Sequence, residues 1–366
     1  MVDKFDYDKL ENDGSYSCPS GSGTVCPDRG RIIMRIQREK QLNPVADEVL
    51  ALTAVVRPIL KGVLYAIKQD VVAELGGYDG IKLKMLNRAY RAGDGDCGIC
   101  FEYSVHEAIT RGDPRVLERI ADAAKICRLD GDQPKSILFG LEKSGTQQLI
   151  DTARDILTED SRLLYGTRGQ PLKLRRHLQT IAGAFRNRNT RLALPYSIRG
   201  LWKADLFVGY PATDRWLGTT VKINPAQLEA AAGLRLGIVP TKGGRADAVR
   251  KDEMKNLVIC PLQHDEDFMQ AFYEGWRVVQ AFIKADAQVP NDVALPSPAE
   301  REVARILAER REFPIVDVIE AIAPFAQPEL LETDDTQVEA QILSGRANTN
   351  MVVAPLPSGP DLFGRR

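Results

Sequence analysis

The spacing of apolar residues predicts helices in the first third of the chain. At residues 43–75 the spacing of apolar side chains fits a pair of core helices, interrupted or bent near Pro58. A second stripe runs over residues 98–109, where Glu102 lies beside the apolar face, one turn before His106. We therefore expect a large helical N-terminal part with a shared core.

Helical patterns continue through the next stretch. Asp113 followed by Pro114 is typical of a helix N-terminus, and residues 115–129 and 136–157 both show helical spacing. We interpret about residues 113–190 as a helical insertion.

Short apolar runs around a Pro- and Asp-rich turn predict a β-hairpin at residues 203–222. Asp205 then lies on the first strand and Lys222 near the end of the second, which brings a carboxylate and an ammonium close together. On the second strand Thr220 and Lys222 share a face, while Val221 points the other way into the core.

Strands and helices alternate beyond the hairpin. We expect a short helix at residues 225–232, strands at 233–240 and 256–261, and a helix at 265–284 with a packed aromatic stripe. This alternation predicts an α/β fold.

Composition divides the chain into four expected segments. Residues 1–30 are rich in Gly, Ser, Asp and Pro and predict an irregular N-terminal segment. The α/β domain would occupy residues 31–290 and C-terminal helices residues 291–325. Residues 326–366 begin acidic and end Pro-rich, which indicates a flexible tail.

The overall composition favours a cytoplasmic protein. The 366 residues carry a net charge of -1 and hold enough apolar residues for a sizeable core. No apolar run approaches the roughly 18 residues that span a bilayer, and the N-terminus lacks a signal-peptide pattern. We interpret the six cysteines as reduced thiols. The alternative is a zinc site, in which Cys97 and Cys100 form a C-x-x-C and Cys18 and Cys26 supply a second pair.

Charge is distributed unevenly along the chain. Residues 161–203, the basic segment, contain no Asp or Glu but eight Arg and two Lys. Because a guanidinium can bind a phosphate through two parallel hydrogen bonds, the basic segment favours nucleic acid as a partner. The alternative is a solvated basic surface docked on acidic parts of the same chain. The residues expected to contact nucleic acid are Arg175, Arg176, Arg186, Arg188, Arg191 and Arg199.

The hairpin resembles the PD-(D/E)xK nuclease superfamily, in which an Asp on one strand meets a (D/E)-x-K tripeptide on the next. Asp205 and Lys222 match this motif, and Thr220 stands where the family most often has Asp or Glu. The family core has one helix, three strands, a helix and a further strand. The resemblance therefore implies a restriction-endonuclease-like mixed central sheet flanked by helices.

The resemblance also implies a site for Mg²⁺, for which Mn²⁺ substitutes. Asp205 and Glu102 would be metal ligands, together with the carbonyl of Val221. Glu229, on the expected helix after the hairpin, would replace the carboxylate that is missing at Thr220.

Catalytic roles follow from the same resemblance. Lys222 would neutralise charge on the scissile phosphate and orient or deprotonate the attacking water. Gln227 matches the glutamine that some branches of the superfamily place after the lysine. Asp205 and Glu102 complete the expected catalytic set.

Three interpretations are open at this point. The first is a Mg²⁺-dependent DNA endonuclease of a prokaryotic restriction or anti-phage defence system. The second is a nuclease-like subunit that binds nucleic acid, or assembles a defence complex or homo-oligomer, without cutting. The third is an unrelated α/β protein in which Asp205 and Lys222 form only a structural ion pair. The basic segment favours the first two, and the intact Lys222 favours the first.

Overall fold

The computed structural model describes residues 31–35, 47–91, 96–139, 153–164, 171–241, 247–263, 267–323, 337–341 and 356–357. The chain separates into two compact units. The larger unit is Leu42–Glu332. The smaller unit combines Met1–Gln41 with Thr333–Arg366 and holds the first strand, β1 (Arg31–Arg35). The N-terminal segment predicted at residues 1–30 lies outside the described residues.

Helices form much of the core of the larger unit, and α1 lies at their centre, in contact with α4, α7, α8 and α9. The predicted helix at residues 98–109 falls within α4, and the one at 115–129 corresponds to α5. In chain order the helices are α1 (Asp47–Ala66), α2 (Gln69–Glu74), α3 (Leu86–Ala89), α4 (Asp96–Arg111), α5 (Pro114–Ile126), α6 (Leu174–Arg186), α7 (Asp267–Lys284), α8 (Pro298–Glu309) and α9 (Ile315–Ala321).

Helix α1 is long and strongly apolar. An 18-residue window of it has a mean hydropathy of 1.6, so by length and composition this helix is able to cross a membrane. This finding corrects the expectation that no apolar run approaches that length. However, 72% of the window is buried inside the protein, as in the core helix of a soluble domain, so α1 is weak evidence for a membrane span.

Close packing between α1 and α4 fixes the position of the latter. A Cβ added at Gly62 of α1 would lie 2.8 Å from the Cα of Cys100 on α4. Only glycine allows this approach, because the neighbouring atom belongs to the backbone and cannot move aside. The helix that carries Glu102 is therefore held firmly against the centre of the core.

The larger unit is built on one mixed eight-stranded sheet. Its main path runs β2-β5-β6-β7-β9-β8, while β3 pairs with β6 and with β4. Neighbours β2, β5 and β6 are antiparallel, whereas β6, β7 and β9 are parallel. The strands are β2 (Lys135–Leu138), β3 (Arg162–Leu164), β4 (Leu172–Lys173), β5 (Leu206–Tyr210), β6 (Arg215–Val221), β7 (Leu234–Thr241), β8 (Arg250–Asp252) and β9 (Leu257–Gln263).

Both faces of the sheet are covered. Alternate residues point to opposite faces, so Leu217 and Val221 pack with α1, α4 and α7 in one core. Phe207 and Trp216 face the other side and pack with α6 and the 3-10 helices that follow it. The protein is thus an α/β fold with helical structure on both sides of a mixed sheet.

The predicted hairpin is confirmed. Strands β5 and β6 pair antiparallel with Tyr210 opposite Arg215, joined by a 3-10 turn at Pro211–Thr213. The predicted strands at residues 233–240 and 256–261 correspond to β7 and β9. The sequence interpretation did not include β8.

Two predicted helices and the helical insertion are wrong in part. A helix was predicted at residues 136–157, but residues 135–138 form the strand β2. Residues 140–152 of that predicted helix lie outside the described part of the chain. Ile137 and Leu138 of β2 are buried on opposite faces, and so short an apolar run has no period that separates strand from helix. The insertion is therefore not wholly helical, since β2, β3 and β4 join the sheet. The helix at 225–232 is only a 3-10 turn, Pro225–Gln227.

In the smaller unit the described strands form one antiparallel sheet in the order β1-β10-β11, where β10 is Gln337–Gln341 and β11 is Leu356–Pro357. Strands β1 and β10 join the two ends of the chain, with Arg31 opposite Gln341. The division of the chain at residues 31 and 326 did not predict the pairing of β1 with β10, because contacts between distant segments leave no local pattern in the sequence.

Candidate active site

The structure brings together Glu102, Asp205 and Lys222, which we call the carboxylate–lysine cluster. The Lys222 Nζ lies 2.7 Å from Asp205 Oδ2 and 3.4 Å from Glu102 Oε1. The three side chains retain between 14% and 27% of their exposure, so the cluster opens to solvent at a partly buried position. One cationic group thus bridges two carboxylates.

Backbone pairing sets Asp205 and Lys222 at the same end of the sheet. Asp205 directly precedes β5; its N–H donates to the Thr219 carbonyl at 2.9 Å, and its carbonyl accepts from Phe139 N–H at 3.1 Å. Lys222 directly follows β6 and donates its N–H to the Ile238 carbonyl at 3.0 Å. Because β5 begins where β6 ends, the antiparallel hairpin itself makes the two side chains neighbours.

Three donors converge on one oxygen of Asp205. Its Oδ2 accepts from the Val221 N–H at 2.7 Å, from the Thr220 Oγ1 at 3.0 Å and from Lys222 Nζ at 2.7 Å. Such bonds fix the carboxylate in one orientation. Thr220, at the position where the motif expected from the sequence has an acid, therefore positions Asp205 and adds no further carboxylate.

Burial and like charge perturb the protonation of the cluster. Burial, and next the negative charge of Asp205, raise the pKa of Glu102 from 4.5 to about 8, although Lys222 opposes the rise. Burial alone would lower the pKa of Lys222, but Asp205 and Glu102 outweigh it and raise that pKa above its ordinary value. Near neutral pH Lys222 is charged and Glu102 holds a proton.

His106 supports the helix that carries Glu102. Its Nδ1 lies 3.0 Å from Ser136 Oγ on β2, one turn along α4 from Glu102. Burial lowers the pKa of His106 to about 4, so the ring is neutral at physiological pH. The contact between His106 and Ser136 therefore ties α4 to the sheet, a role that the sequence interpretation missed because it did not recognise β2.

Two carboxylates suit a hard divalent cation. Among the described residues there is no group of three or more His, Cys, Asp or Glu side chains placed to hold a metal. Mg²⁺ does not require one, because it usually binds through one or two carboxylates and completes its shell with water and substrate phosphate. Asp205 and Glu102 fit that pattern. Val221 contacts the cluster through its N–H rather than through the carbonyl expected to bind metal.

Two expected residues lie apart from the cluster. Glu229 is exposed and forms an ion pair with Lys203, and Gln227 is exposed at the end of its 3-10 turn. Within the described chain, no hydrogen bond or ion pair joins either residue to the cluster. Glu229 was expected to face the site from a helix, but that helix does not form, so its carboxylate points to a different partner.

The six arginines of the basic segment fall into different environments. Arg175 pairs with Glu159 at 3.3 Å, and Arg191 stacks its guanidinium 3.7 Å from the Trp202 ring centroid. These two guanidinium groups thus contact other side chains of the same protein. The exposed members are Arg176, Arg188 and Arg199, while the side chain of Arg186 lies outside the described part.

The cysteines of the alternative zinc site sit on α4. Cys100 is buried and donates its Sγ hydrogen to the Ile59 carbonyl at 3.5 Å. Burial raises the pKa of Cys97 to about 11. Cys18 and Cys26 lie outside the described residues.

No protein-family model, curated protein or solved structure matches the chain. The geometry of the carboxylate–lysine cluster is therefore the strongest indication of function. Two carboxylates that can bind a hard cation, beside a fixed ammonium, form a site able to stabilise negative charge on a phosphoryl group.

Proposed function

We propose that this chain is a Mg²⁺-dependent nuclease that hydrolyses DNA phosphodiester bonds, and that it serves a prokaryotic restriction or anti-phage defence system. The observation that carries the proposal is the convergence of Glu102, Asp205 and Lys222 at one end of a β-hairpin. A structural ion pair needs two of these groups, whereas the third adds a buried carboxyl that costs stability. Such an arrangement is typical of a functional site.

The sheet topology supports a restriction-endonuclease-like fold. Helix α4 precedes β2, and the neighbours β2, β5, β6 and β7 follow in chain order across the sheet. This order agrees with a core of one helix, three strands and a further strand. In this proposal the 3-10 turn at Pro225–Gln227 stands where the family has its second helix.

Each side chain of the cluster has a role in the proposed reaction. Asp205, oriented by three donors, and Glu102, after loss of its proton, would hold the cation. Bound Mg²⁺ supplies a more acidic water and stabilises charge on the phosphate. Lys222 places a positive charge beside both carboxylates and orients the attacking water. Glu102 would release its proton when it takes up the cation.

The basic segment supports a nucleic acid as substrate. It ends at Lys203, two residues before Asp205, and Arg199 lies six residues before Asp205. Arg176, Arg188 and Arg199 are exposed and available for phosphate contacts.

One observation favours the non-cutting alternative. Thr220 occupies the usual acidic position and Glu229 pairs with Lys203, so the cluster has only two carboxylates. A protein with this cluster could bind nucleic acid, or assemble a defence complex, without hydrolysis. The intact Lys222 favours cleavage, because an ammonium beside the carboxylates can stabilise negative charge on the scissile phosphate.

Cleavage of supercoiled plasmid DNA tests the proposal. The wild-type protein should nick or linearise the plasmid with Mg²⁺ or Mn²⁺ and not in chelator. Lys222→Ala should lower the rate by about 10²- to 10³-fold, as expected for loss of one charge-stabilising group. Lys84→Ala is a matched control, since Lys84 pairs with Glu312 at the surface and should leave the rate unchanged.

Two outcomes would contradict the proposal. Equal cleavage by wild type and Lys222→Ala would show that another site, or a contaminant, cuts the DNA. A wild-type protein that cuts neither DNA nor RNA with Mg²⁺ or Mn²⁺, even with its natural partners, would leave the nucleic-acid-binding alternative.

A further inference from the structure

We propose that Tyr196 stacks on an unpaired base, so that the substrate contains a single-stranded stretch next to the cutting site. This inference rests on the proposed function, because it names the form of nucleic acid that the same site would receive. It concerns the two consecutive 3-10 helices Arg188–Ala193 and Tyr196–Lys203, which we call the stacking platform.

The platform exposes apolar side chains inside the most basic part of the chain. Tyr196 retains 81% of its exposure and Leu192 retains 69%. Tyr196 is more exposed than the other described aromatic residues that stand open to solvent, such as Phe313 at 57%. An open tyrosine ring among arginines is an arrangement that binds nucleic acid without reading sequence, because every base has a face that can stack.

Packing beneath the platform makes it rigid. Ile198 and Leu201 are fully buried under it, and the Gly200 N–H donates to the Ala232 carbonyl at 2.8 Å. Arg191 joins its two helices, since it stacks on Trp202 and donates its Nε hydrogen to the Ala184 carbonyl at 3.0 Å. Tyr196 therefore projects from a fixed backbone, and little backbone entropy is lost when a base binds.

Charge next to the ring suits the phosphates that accompany a stacked base. The Arg199 guanidinium lies 5.6 Å from the centre of the Tyr196 ring, and Arg188 is exposed on the preceding 3-10 helix. A nucleotide stacked on Tyr196 can therefore place its phosphate within reach of Arg199. The platform ends at Lys203, two residues before Asp205 of the carboxylate–lysine cluster.

The stacking geometry distinguishes single strands from duplex. In a duplex the base faces are covered by their neighbours, so only the arginines of the platform can contribute. In a single strand the faces are open, and both stacking and charge contribute. The expected substrates are thus single strands or duplexes that carry a flap, bubble or unpaired end.

Binding in chelator tests this inference separately from cleavage. Fluorescence anisotropy would measure the affinity for a labelled single strand and for its duplex, with EDTA present so that no hydrolysis occurs. Tyr196→Ala should weaken single-strand binding about tenfold and change duplex binding less than twofold. Tyr196→Phe keeps the ring and should bind like wild type. Met254→Ala is the control, since Met254 is 98% exposed on the turn between β8 and β9.

Each outcome has a defined meaning. Unchanged single-strand binding by Tyr196→Ala, or equal loss for single strand and duplex, would overturn the stacking role while leaving the nuclease proposal intact. A selective loss in a protein that never cuts would retain the platform and overturn the nuclease. Because Tyr196 is so exposed, its replacement should not alter the thermal unfolding temperature, which serves as the check on folding.

Discussion

Replacement of Glu102 by Gln should change how the stability of the protein depends on pH. In the folded chain the pKa of Glu102 is about 8, whereas in the unfolded chain Glu102 has its ordinary pKa of 4.5. Between these values the folded state binds more protons than the unfolded state. The free energy of unfolding therefore falls as pH rises through this window. Gln cannot ionise, so Glu102→Gln should lack this fall.

The size of the effect follows from the rise in pKa. A rise from 4.5 to about 8 corresponds to at most about 5 kcal/mol, at 1.36 kcal/mol for a tenfold change in proton affinity. The Glu102 side chain keeps 17% of its exposure, so solvent reduces the cost of its charge. We expect about 2–3 kcal/mol of stability to be lost by the wild type and retained by Glu102→Gln. Lys222 does not contribute in this window, because its raised pKa acts only at higher pH.

Urea unfolding followed by circular dichroism, in chelator at about pH 5 and about pH 9, would measure the difference. At the higher pH Glu102→Gln should be the more stable protein. Glu118→Gln, at an exposed position of α5, should retain the pH dependence of the wild type. Parallel pH profiles for wild type and Glu102→Gln would refute the reasoning, since they would show that Glu102 is not the buried proton-binding group.

Three further predictions follow from contacts outside the cluster. Glu229→Ala should leave the cleavage rate unchanged in a plasmid assay, because Glu229 pairs with Lys203; a large loss would place it in the site. Gly62→Ala should destabilise the protein by about 1–3 kcal/mol in urea unfolding, since the new methyl would overlap the α4 backbone; a stability equal to wild type would contradict that packing. Arg176→Ala and Arg188→Ala should each reduce the slope of log DNA affinity against log salt concentration by about one phosphate contact. An unchanged slope would show that these arginines do not contact DNA.

The hairpin and the phase of its site residues could be predicted from sequence because both depend on local order. The short apolar runs of β5 and β6 and the Pro-containing turn between them predict the pairing, and the pairing makes Asp205 and Lys222 neighbours. The apolar stripe predicted the helix that carries Glu102, whereas the place of Glu102 in the site followed from the resemblance and not from a local pattern. Local patterns were sufficient wherever a chain segment determines its own structure.

The sequence interpretation failed where distant contacts decide the structure. Strand β2 forms because it pairs with β5. It is only four residues long, and so short an apolar run shows no period that distinguishes a strand from part of a helix. Pro225 stands at the first position of a helical segment, as is typical of a helix start, but the segment is a single 3-10 turn that ends at Gln227. Leu228, which follows, is buried in the core on one face of the sheet. That short turn is why Glu229 does not reach the cluster.

The most direct test of the central claim is the cleavage rate of a labelled DNA as a function of Mg²⁺ concentration, for wild type and Asp205→Ala. If Asp205 and Glu102 hold the catalytic cation, the wild-type rate should rise from zero to a plateau as Mg²⁺ is added. Asp205→Ala should show no cleavage at any concentration while its circular dichroism spectrum stays that of the folded protein. Cleavage in the absence of a divalent cation, or cleavage that survives Asp205→Ala, would contradict the account.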